Sequence, residues 1–148
     1  MPAPLVIRAR VPDDDAFIRE LSRAAFAEYS PSAGRDAAQR GRADRTLVAT
    51  RNRRALGFVV VEGPDHGRAY VAAIAVLEDE RGRGVGRQLL HAAEALARRH
   101  GAREIALTTA EANLGALELF LREGFERVAR RRNFYPRGQD AIELAKTI

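Results

Sequence analysis

The segment of the sequence with the clearest chemistry is the glycine-rich stretch from Glu80 to Arg87. Its three alternate glycines permit tight backbone turns, so that successive N–H groups can point at one place. A helix beginning near Val85 would add unpaired N–H groups and the positive end of its dipole. Arginine suits phosphate because its guanidinium offers a fork of donors. The segment predicts a pyrophosphate-binding loop, formed by Arg81, Gly82, Arg83, Gly84, Val85, Gly86 and Arg87.

Two common phosphate-binding patterns do not fit this loop. A dinucleotide-binding fingerprint would have its third glycine where Leu89 stands, and it would follow the first strand of the fold. A Walker A loop needs Gly-Lys-Ser/Thr, whereas the sole lysine is Lys146. A strand-to-helix turn that carries solvated arginines remains the alternative without a ligand.

The elements that must position the loop alternate between strands and helices. Helical spacing of apolar residues predicts a helix from an N-cap among the aspartates 13–15 to about Tyr29, helices from Val85 to Gly101 and from Leu114 to Glu123, and a short helix or loop over 31–44. Apolar runs predict strands over Leu5–Arg10, Thr46–Thr50, Leu56–Glu62, Ala69–Leu77, Glu104–Thr108, Phe125–Arg131 and Ala141–Lys146. The expected fold class is α/β (α+β), a single domain over residues 1–148 with a mixed sheet of about seven strands and about four helices.

Composition excludes several classes of function. The 148-residue chain has no cysteine, which excludes disulfide scaffolds, thiolate metal sites and cysteine nucleophiles. None of its three serines lies in a Gly-x-Ser-x-Gly elbow, and its three histidines lack metal-ligand spacing, so no metal site is predicted. No apolar stretch reaches the length of a membrane span, and the start has no signal-peptide pattern. We therefore expect a cytoplasmic protein without a membrane partner.

Two spaced motifs give the sequence a family resemblance. The first, Arg81-x-x-Gly84-x-Gly86, follows the strand residues 74–76, and the second, Asn113-x-x-Ala116, is followed by Phe120 and the pair 124–125 (Gly-Phe). The first motif resembles the acetyl-CoA loop of the GCN5-related N-acetyltransferases, the GNAT superfamily. The second resembles another signature of that family, in which a helix that begins with Asn-x-x-Ala ends in Gly-Phe. The order of the predicted elements agrees along nearly the whole chain.

The resemblance implies acetyl-CoA as the cofactor and a splayed pair of parallel strands in the middle of the sheet. It implies that the backbones of Ile74, Ala75 and Val76 pair with the pantetheine arm and that residues 82–87 bind the pyrophosphate. Asn113 would hydrogen-bond the cofactor and also N-cap the next helix. A deprotonated primary amine would attack the thioester directly, without a covalent enzyme intermediate, while a backbone N–H, for which Val76 is the candidate, holds the oxyanion.

Two catalytic positions depart from the family's pattern. Phe120 stands where the family often has a tyrosine that protonates the leaving sulfur. Residues 69–76 contain no carboxylate, and the matching part of the next parallel strand reads Leu-Thr-Thr at 107–109. Proximity and the oxyanion site can still supply much of the rate. A CoA-binding regulatory module without catalysis therefore stays open as an alternative.

The C-terminal segment supplies candidates for the acceptor side. Residues 130–136 and 140–142 are similar to the C-terminal hairpin of the ribosomal-protein alanine N-acetyltransferases, which makes Tyr135 the candidate proton donor or acceptor wall. A turn tyrosine packed on a sheet edge is the alternative. Glu28, Tyr29 and Tyr70 are further acceptor-side candidates. The expected acceptor is a primary amine of a small molecule or a peptide.

The net charge of +5 and the pI of about 10.6 also admit an RNA-associated protein. The three consecutive arginines at 130–132 would form the basic patch. Only Phe134 and Tyr135 accompany them as aromatic residues on which bases could stack, so the pattern does not favour nucleic acid. Association into a homodimer is left open.

Overall fold

The computed structural model describes residues 3–29 and 45–148, so the helix or loop expected over 31–44 lies outside the described residues. Within the described part of the chain, seven strands and three helices form one sheet with helices on both faces. In chain order they are β1 (Val6–Ala9), α1 (Asp15–Phe26), β2 (Thr46–Arg51), β3 (Arg54–Asp65), β4 (Arg68–Val76), α2 (Val85–Arg99), β5 (Glu104–Ala110), α3 (Leu114–Arg122), β6 (Glu126–Arg131) and β7 (Ala141–Thr147).

The strands lie in the order β1-β2-β3-β4-β5-β7-β6. Only β4 and β5 pair in parallel, because α2 forms the crossover between them, and the other neighbours are antiparallel. The β2–β3 hairpin closes through Asn52 and Arg53, both with positive φ, as two-residue hairpin turns require. The predicted mixed sheet of seven strands is confirmed.

The parallel pair opens soon after it begins. Hydrogen-bonded pairing of β4 with β5 covers only residues 68–70 against 104–106. Two residues later Val60 pairs with Ala73 while Val61 pairs with Val71, so Ala72 is the extra residue of a β-bulge. A bulge bends its strand and increases its twist. The remaining residues of β4 therefore diverge from β5, which confirms the expected splayed pair.

Each face of the sheet has its own core. Alternate residues of β3 divide between the two faces: Phe58 and Val60 pack with Ile18 of α1, whereas Val59 and Val61 belong to the core that α2 and α3 cover. Burying such side chains stabilises the fold by about 25 cal/mol per Å² of apolar surface. The loop 77–84 leads from β4 into α2, and Gly86 and Arg87 of the first turn of α2 lie at the mouth of the opening between β4 and β5.

The ends of three elements near the cavity differ from those expected. Helix α1 ends at Phe26, so Tyr29 lies in the turn that follows. Strand β3 continues to Asp65, past its expected end at Glu62, because its ladder with β4 resumes at the Asp65–Arg68 pair. Strand β5 extends to Ala110, since β7 pairs along its whole length. The three helices in residues 3–29 and 45–148 are the three expected there, and the further helix or loop expected over 31–44 lies outside the described residues.

Candidate active site

A single cavity of about 1520 Å³ runs along the opening between β4 and β5. Its walls come from the glycine loop, the separated halves of both strands, α3, the end of α1 and the β6–β7 loop. Ten of the twelve predicted site residues line it: Ile74, Ala75, Val76, Arg81, Gly82, Gly84, Gly86, Arg87, Asn113 and Tyr135. The structure thus brings the predicted cofactor residues and the predicted acceptor residue to one cavity.

The glycine loop has the backbone geometry of an anion-binding turn. Gly82 and Gly84 have φ of +76° and +85°, in the left-handed region that favours glycine, and a Cβ on either would have no atom within 4 Å. Gly84 is the N-cap of α2, and the Gln88 N–H donates to its carbonyl. The N–H groups of the first turn have no acceptor inside the helix. This leaves backbone donors facing open space.

The two predicted loop residues outside the cavity lining are Val85 and Arg83. Val85 is 1% exposed and packs its side chain in the core below α2. Its side chain anchors the first helical turn, and the role predicted for it requires only its backbone N–H. The Arg83 guanidinium is largely exposed and lies 3.8 Å from the Glu80 carboxylate.

Glu80 ties the loop to the rest of the sheet. Although it belongs to a short 3₁₀ turn on the surface, this residue is 7% exposed, and its carboxylate accepts a 2.9 Å hydrogen bond from Arg51 on β2. The guanidinium of Arg54 lies 3.9 Å away. Since a buried charge needs such partners, Glu80 fixes the start of the glycine loop against the β2–β3 hairpin.

The other two loop arginines lie at the cavity with side chains that are free to reorient. Arg81 donates through Nε to the Val76 carbonyl over 3.4 Å. The Arg87 side chain is 61% exposed, and its guanidinium lies 3.6 Å from the Glu123 carboxylate. The same carboxylate lies 2.7 Å from Nε2 of His91. These weak, exposed contacts leave both guanidinium groups available to an anion.

Asn113 caps helix α3, as predicted. Its side-chain oxygen accepts a 3.2 Å hydrogen bond from the Ala116 N–H, which explains the spacing of the Asn-x-x-Ala motif. The residue also lines the cavity, at the end of β5. Its amide nitrogen is not needed for the cap, so one side chain can serve both the helix and a ligand.

The far end of the cavity is aromatic. The ring of Tyr135 lies 4.9 Å from Tyr29 and 5.0 Å from Phe134, measured between centroids. Gln139 donates to the Glu28 carbonyl and so holds the β6–β7 loop against the end of α1. Burial raises the pKa of Tyr135 above its usual value, with a smaller contribution from Tyr29. We call this end, with Tyr29, Tyr70, Phe134 and Tyr135, the acceptor end.

The sequence did not identify Glu62, a cavity-lining carboxylate at the acceptor end. The residue stands at the end of the apolar run 56–62, next to a glycine and a proline, and this position favours a turn. Only the β3–β4 register places it opposite Tyr70. Phe120 also lines the cavity and is 4% exposed, so the position without a hydroxyl does face the site.

The acceptor-side candidates divide in the structure. Tyr29 and Tyr70 line the cavity, whereas Glu28 is exposed outside it. No group of histidine and carboxylate side chains within residues 3–29 and 45–148 is arranged to hold a metal ion. In the same ranges no helix has the length and apolar content needed to span a membrane.

The profile of the Acetyltransferase (GNAT) family matches residues 15–125, which is three quarters of the chain and includes every element that forms the cavity except the β6–β7 loop. The chain therefore belongs to this family. The match confirms the resemblance carried by the two motifs and the acyltransferase class that it implies.

Individual proteins agree with this assignment. The N-alpha-acetyltransferase MAK3 of Arabidopsis thaliana is 33% identical over 101 residues, which is 66% of this chain and 53% of the relative, so the chain spans about half the length of that protein. The ribosomal-protein-S18-alanine N-acetyltransferase of Escherichia coli superimposes with a TM-score of 0.83 and 25% identity, covering 98% of this chain and 94% of that one. YncA of Salmonella typhimurium, solved with acetyl-CoA, gives 0.85 at 18% identity with coverage of 98% and 94%, which shows the shared fold.

Proposed function

We propose that this protein transfers the acetyl group of acetyl-CoA directly to the α-amine of a peptide. The observation that carries the proposal is the continuity of the cavity, which joins a phosphate-type loop to an aromatic acceptor end through the opening between β4 and β5. Direct transfer requires acetyl-CoA and the acceptor amine to be bound next to each other in one space. Such placement greatly raises the effective concentration of the amine at the thioester, which accelerates the reaction. The chain has no cysteine that could carry the acetyl group in between.

The residues at the loop fit the diphosphate of coenzyme A. The space beside Gly82 and Gly84 lets a ligand approach the backbone, and Arg81 and Arg87 border the same space. We assign diphosphate binding to residues 82–87, pairing of the pantetheine arm to the backbone of 74–76, and a hydrogen bond to the cofactor to Asn113. When bound, the cofactor supplies an acetyl group activated as a thioester.

Tyr135 is the proton donor in this proposal. A tyrosine, whose usual pKa is about 10, carries its proton in the neutral range, so the Tyr135 hydroxyl can donate to a leaving sulfur. Burial raises the pKa of Tyr135 further, which keeps the proton on the hydroxyl until the leaving group accepts it. Tyr29 and Phe134 fix the ring by contact from two sides. The Phe120 ring faces the cavity without any proton to donate.

The peptide acceptor is taken from the similarity to proteins named N-alpha-acetyltransferase and ribosomal-protein-S18-alanine N-acetyltransferase. We also propose that residues 1–148 form one N-acetyltransferase domain, which is supported by a single sheet whose strands run from Val6 to Thr147. The cytoplasmic location and a homodimer stay predictions from the sequence.

The test is thiol release from acetyl-CoA in the presence of a panel of short peptides. Matched peptides with a free or a blocked N-terminus, and a small diamine without a peptide bond, separate the acceptor classes. We expect thiol release with the free peptides alone. Release with the diamine alone would overturn the peptide acceptor.

A second candidate, a CoA-binding module without catalysis, is favoured by Phe120 and by the lack of a carboxylate on β4. Binding of acetyl-CoA in calorimetry without thiol release for any amine would support it. Failure to bind acetyl-CoA would contradict both functions.

A further inference from the structure

We propose that Glu62 binds the ammonium form of the acceptor amine. The inference rests on the proposed function and adds to it the charged group that recognises the acceptor. Glu62 lines the acceptor end, and its partner across the β3–β4 ladder is Tyr70, the last residue of β4 that pairs with β5. Glu62 therefore belongs to the row of the sheet at which the two parallel strands separate.

The Glu62 carboxylate forms no ion pair with a described residue. Arg45, the basic residue just before β2, donates instead to the carbonyl of Gly63, the residue that follows Glu62. Three carboxylates line the cavity within the described part of the chain. Two of them have described partners: Glu118 pairs with Arg122 at 2.5 Å and Glu123 with His91 at 2.7 Å. Glu123 also lies 3.6 Å from Arg87 of the glycine loop, and we call the end of the cavity at this loop the cofactor end. The Glu62 carboxylate makes no hydrogen bond or ion pair with any residue in 3–29 or 45–148 and is exposed to the cavity.

The cavity consequently has opposite charge at its two ends. Arg81 and Arg87 border the cofactor end, while Glu62 stands among aromatic rings at the acceptor end. Arg68 lies 5.8 Å from the Tyr70 ring, but Glu104 holds its guanidinium at 3.0 Å on the neighbouring strand. The Arg68 charge is thereby compensated locally, and the charge of Glu62 remains available to a ligand.

An N-terminal ammonium is the ligand that this arrangement suits. A peptide α-amine has a pKa near ~8, so most of it arrives protonated at neutral pH. A carboxylate accepts a short, charge-assisted hydrogen bond from it, and tyrosine rings attract a cation over their faces. All three tyrosines of the chain, Tyr29, Tyr70 and Tyr135, line this cavity.

The test compares wild type with Glu62→Gln, which keeps the shape of the side chain and removes its charge. The KM for the peptide acceptor should rise roughly 10-fold or more, since one charged hydrogen bond is lost, while the KM for acetyl-CoA stays unchanged. Glu62→Asp should recover part of the loss. Glu126→Gln, on an exposed residue outside the cavity, is the matched control and should leave both constants unchanged.

A second readout uses a peptide whose α-amine is replaced by hydrogen, as a competitive inhibitor. It should bind wild type and Glu62→Gln equally, because it lacks the group that Glu62 contacts. Equal weakening of both peptides by the substitution would indicate a structural role and overturn the inference. An active wild type with an unchanged Glu62→Gln variant would overturn the inference alone, whereas a wild type that acetylates no peptide would overturn the proposed function as well.

Discussion

Removing the charge of Glu80 tests whether this buried carboxylate holds the glycine loop in place. The side chain is 9% exposed and accepts a hydrogen bond from Arg51, whose own side chain is 26% exposed. A hydrogen bond to a charged group contributes about 1.5–3 kcal/mol to stability. Because Arg51 is partly solvated, we expect Glu80→Gln to lower the free energy of unfolding by about 2 kcal/mol. In a domain of this size that corresponds to a fall in Tm of roughly 4–8 °C.

The assay is urea unfolding together with a thermal scan, and the matched control is the preceding residue of the same turn. Asp79 pairs with Arg54 at 3.5 Å, but its side chain is 68% exposed. Asp79→Asn should therefore change stability by less than about 0.5 kcal/mol. Glu80→Gln should also raise the KM for acetyl-CoA, since the loop begins at the next residue. Equal effects of the two substitutions on stability would show that the buried carboxylate of Glu80 does not hold the glycine loop in place.

Two further predictions concern other parts of the fold and site. Asp14 accepts hydrogen bonds from Arg8 at 2.7 and 3.0 Å and from the Val11 N–H at 2.8 Å, and the contact with Arg8 is the main cause of its lowered pKa. Since the folded state lowers this pKa, its contribution is present at neutral pH and is lost as pH falls through the folded value. Asp14→Asn should cost about 1–3 kcal/mol in urea unfolding at pH 7, and the cost should shrink as the pH falls below about 4; a cost independent of pH would contradict this. Tyr135→Phe should keep the ring contacts and the stability but lower kcat about 100-fold, and an unchanged kcat would remove Tyr135 as the proton donor.

The parts of the fold that sequence could predict are those with local causes. Glycines at 82, 84 and 101 mark positions of positive φ, and apolar residues at helical spacing mark the buried face of α2. The Asn113 cap follows from a spacing of three residues along the chain. Such features depend on neighbours within one turn, so the sequence carries their signal directly.

The parts that sequence could not predict depend on register between distant segments. The bulge at Ala72 lies in a run of small apolar residues, and only the offset against Val60 and Val61 reveals it. Glu62 lines the cavity because the same β3–β4 ladder pairs it with Tyr70. Glu80 is buried because Arg51, 29 residues earlier, comes to meet it across the sheet. No local pattern distinguishes these two glutamates from the other glutamates of the chain.

Calorimetric titration of Gly84→Ala with acetyl-CoA measures whether the glycine loop holds the diphosphate of the cofactor. Gly101→Ala is the matched control. Gly101 has a φ of +91°, close to the +85° of Gly84, and a Cβ at either position would have no atom within 4 Å. Unlike Gly84, Gly101 lies outside the cavity. Both substitutions should cost about 1–2 kcal/mol of stability through backbone strain. Only Gly84→Ala should weaken acetyl-CoA binding, because its methyl group occupies the space that the phosphates approach. The loss of one hydrogen bond to a charged group lowers affinity by roughly 10-fold or more, and we expect a loss of that size. Equal affinity of the two variants for acetyl-CoA would contradict diphosphate binding by the glycine loop.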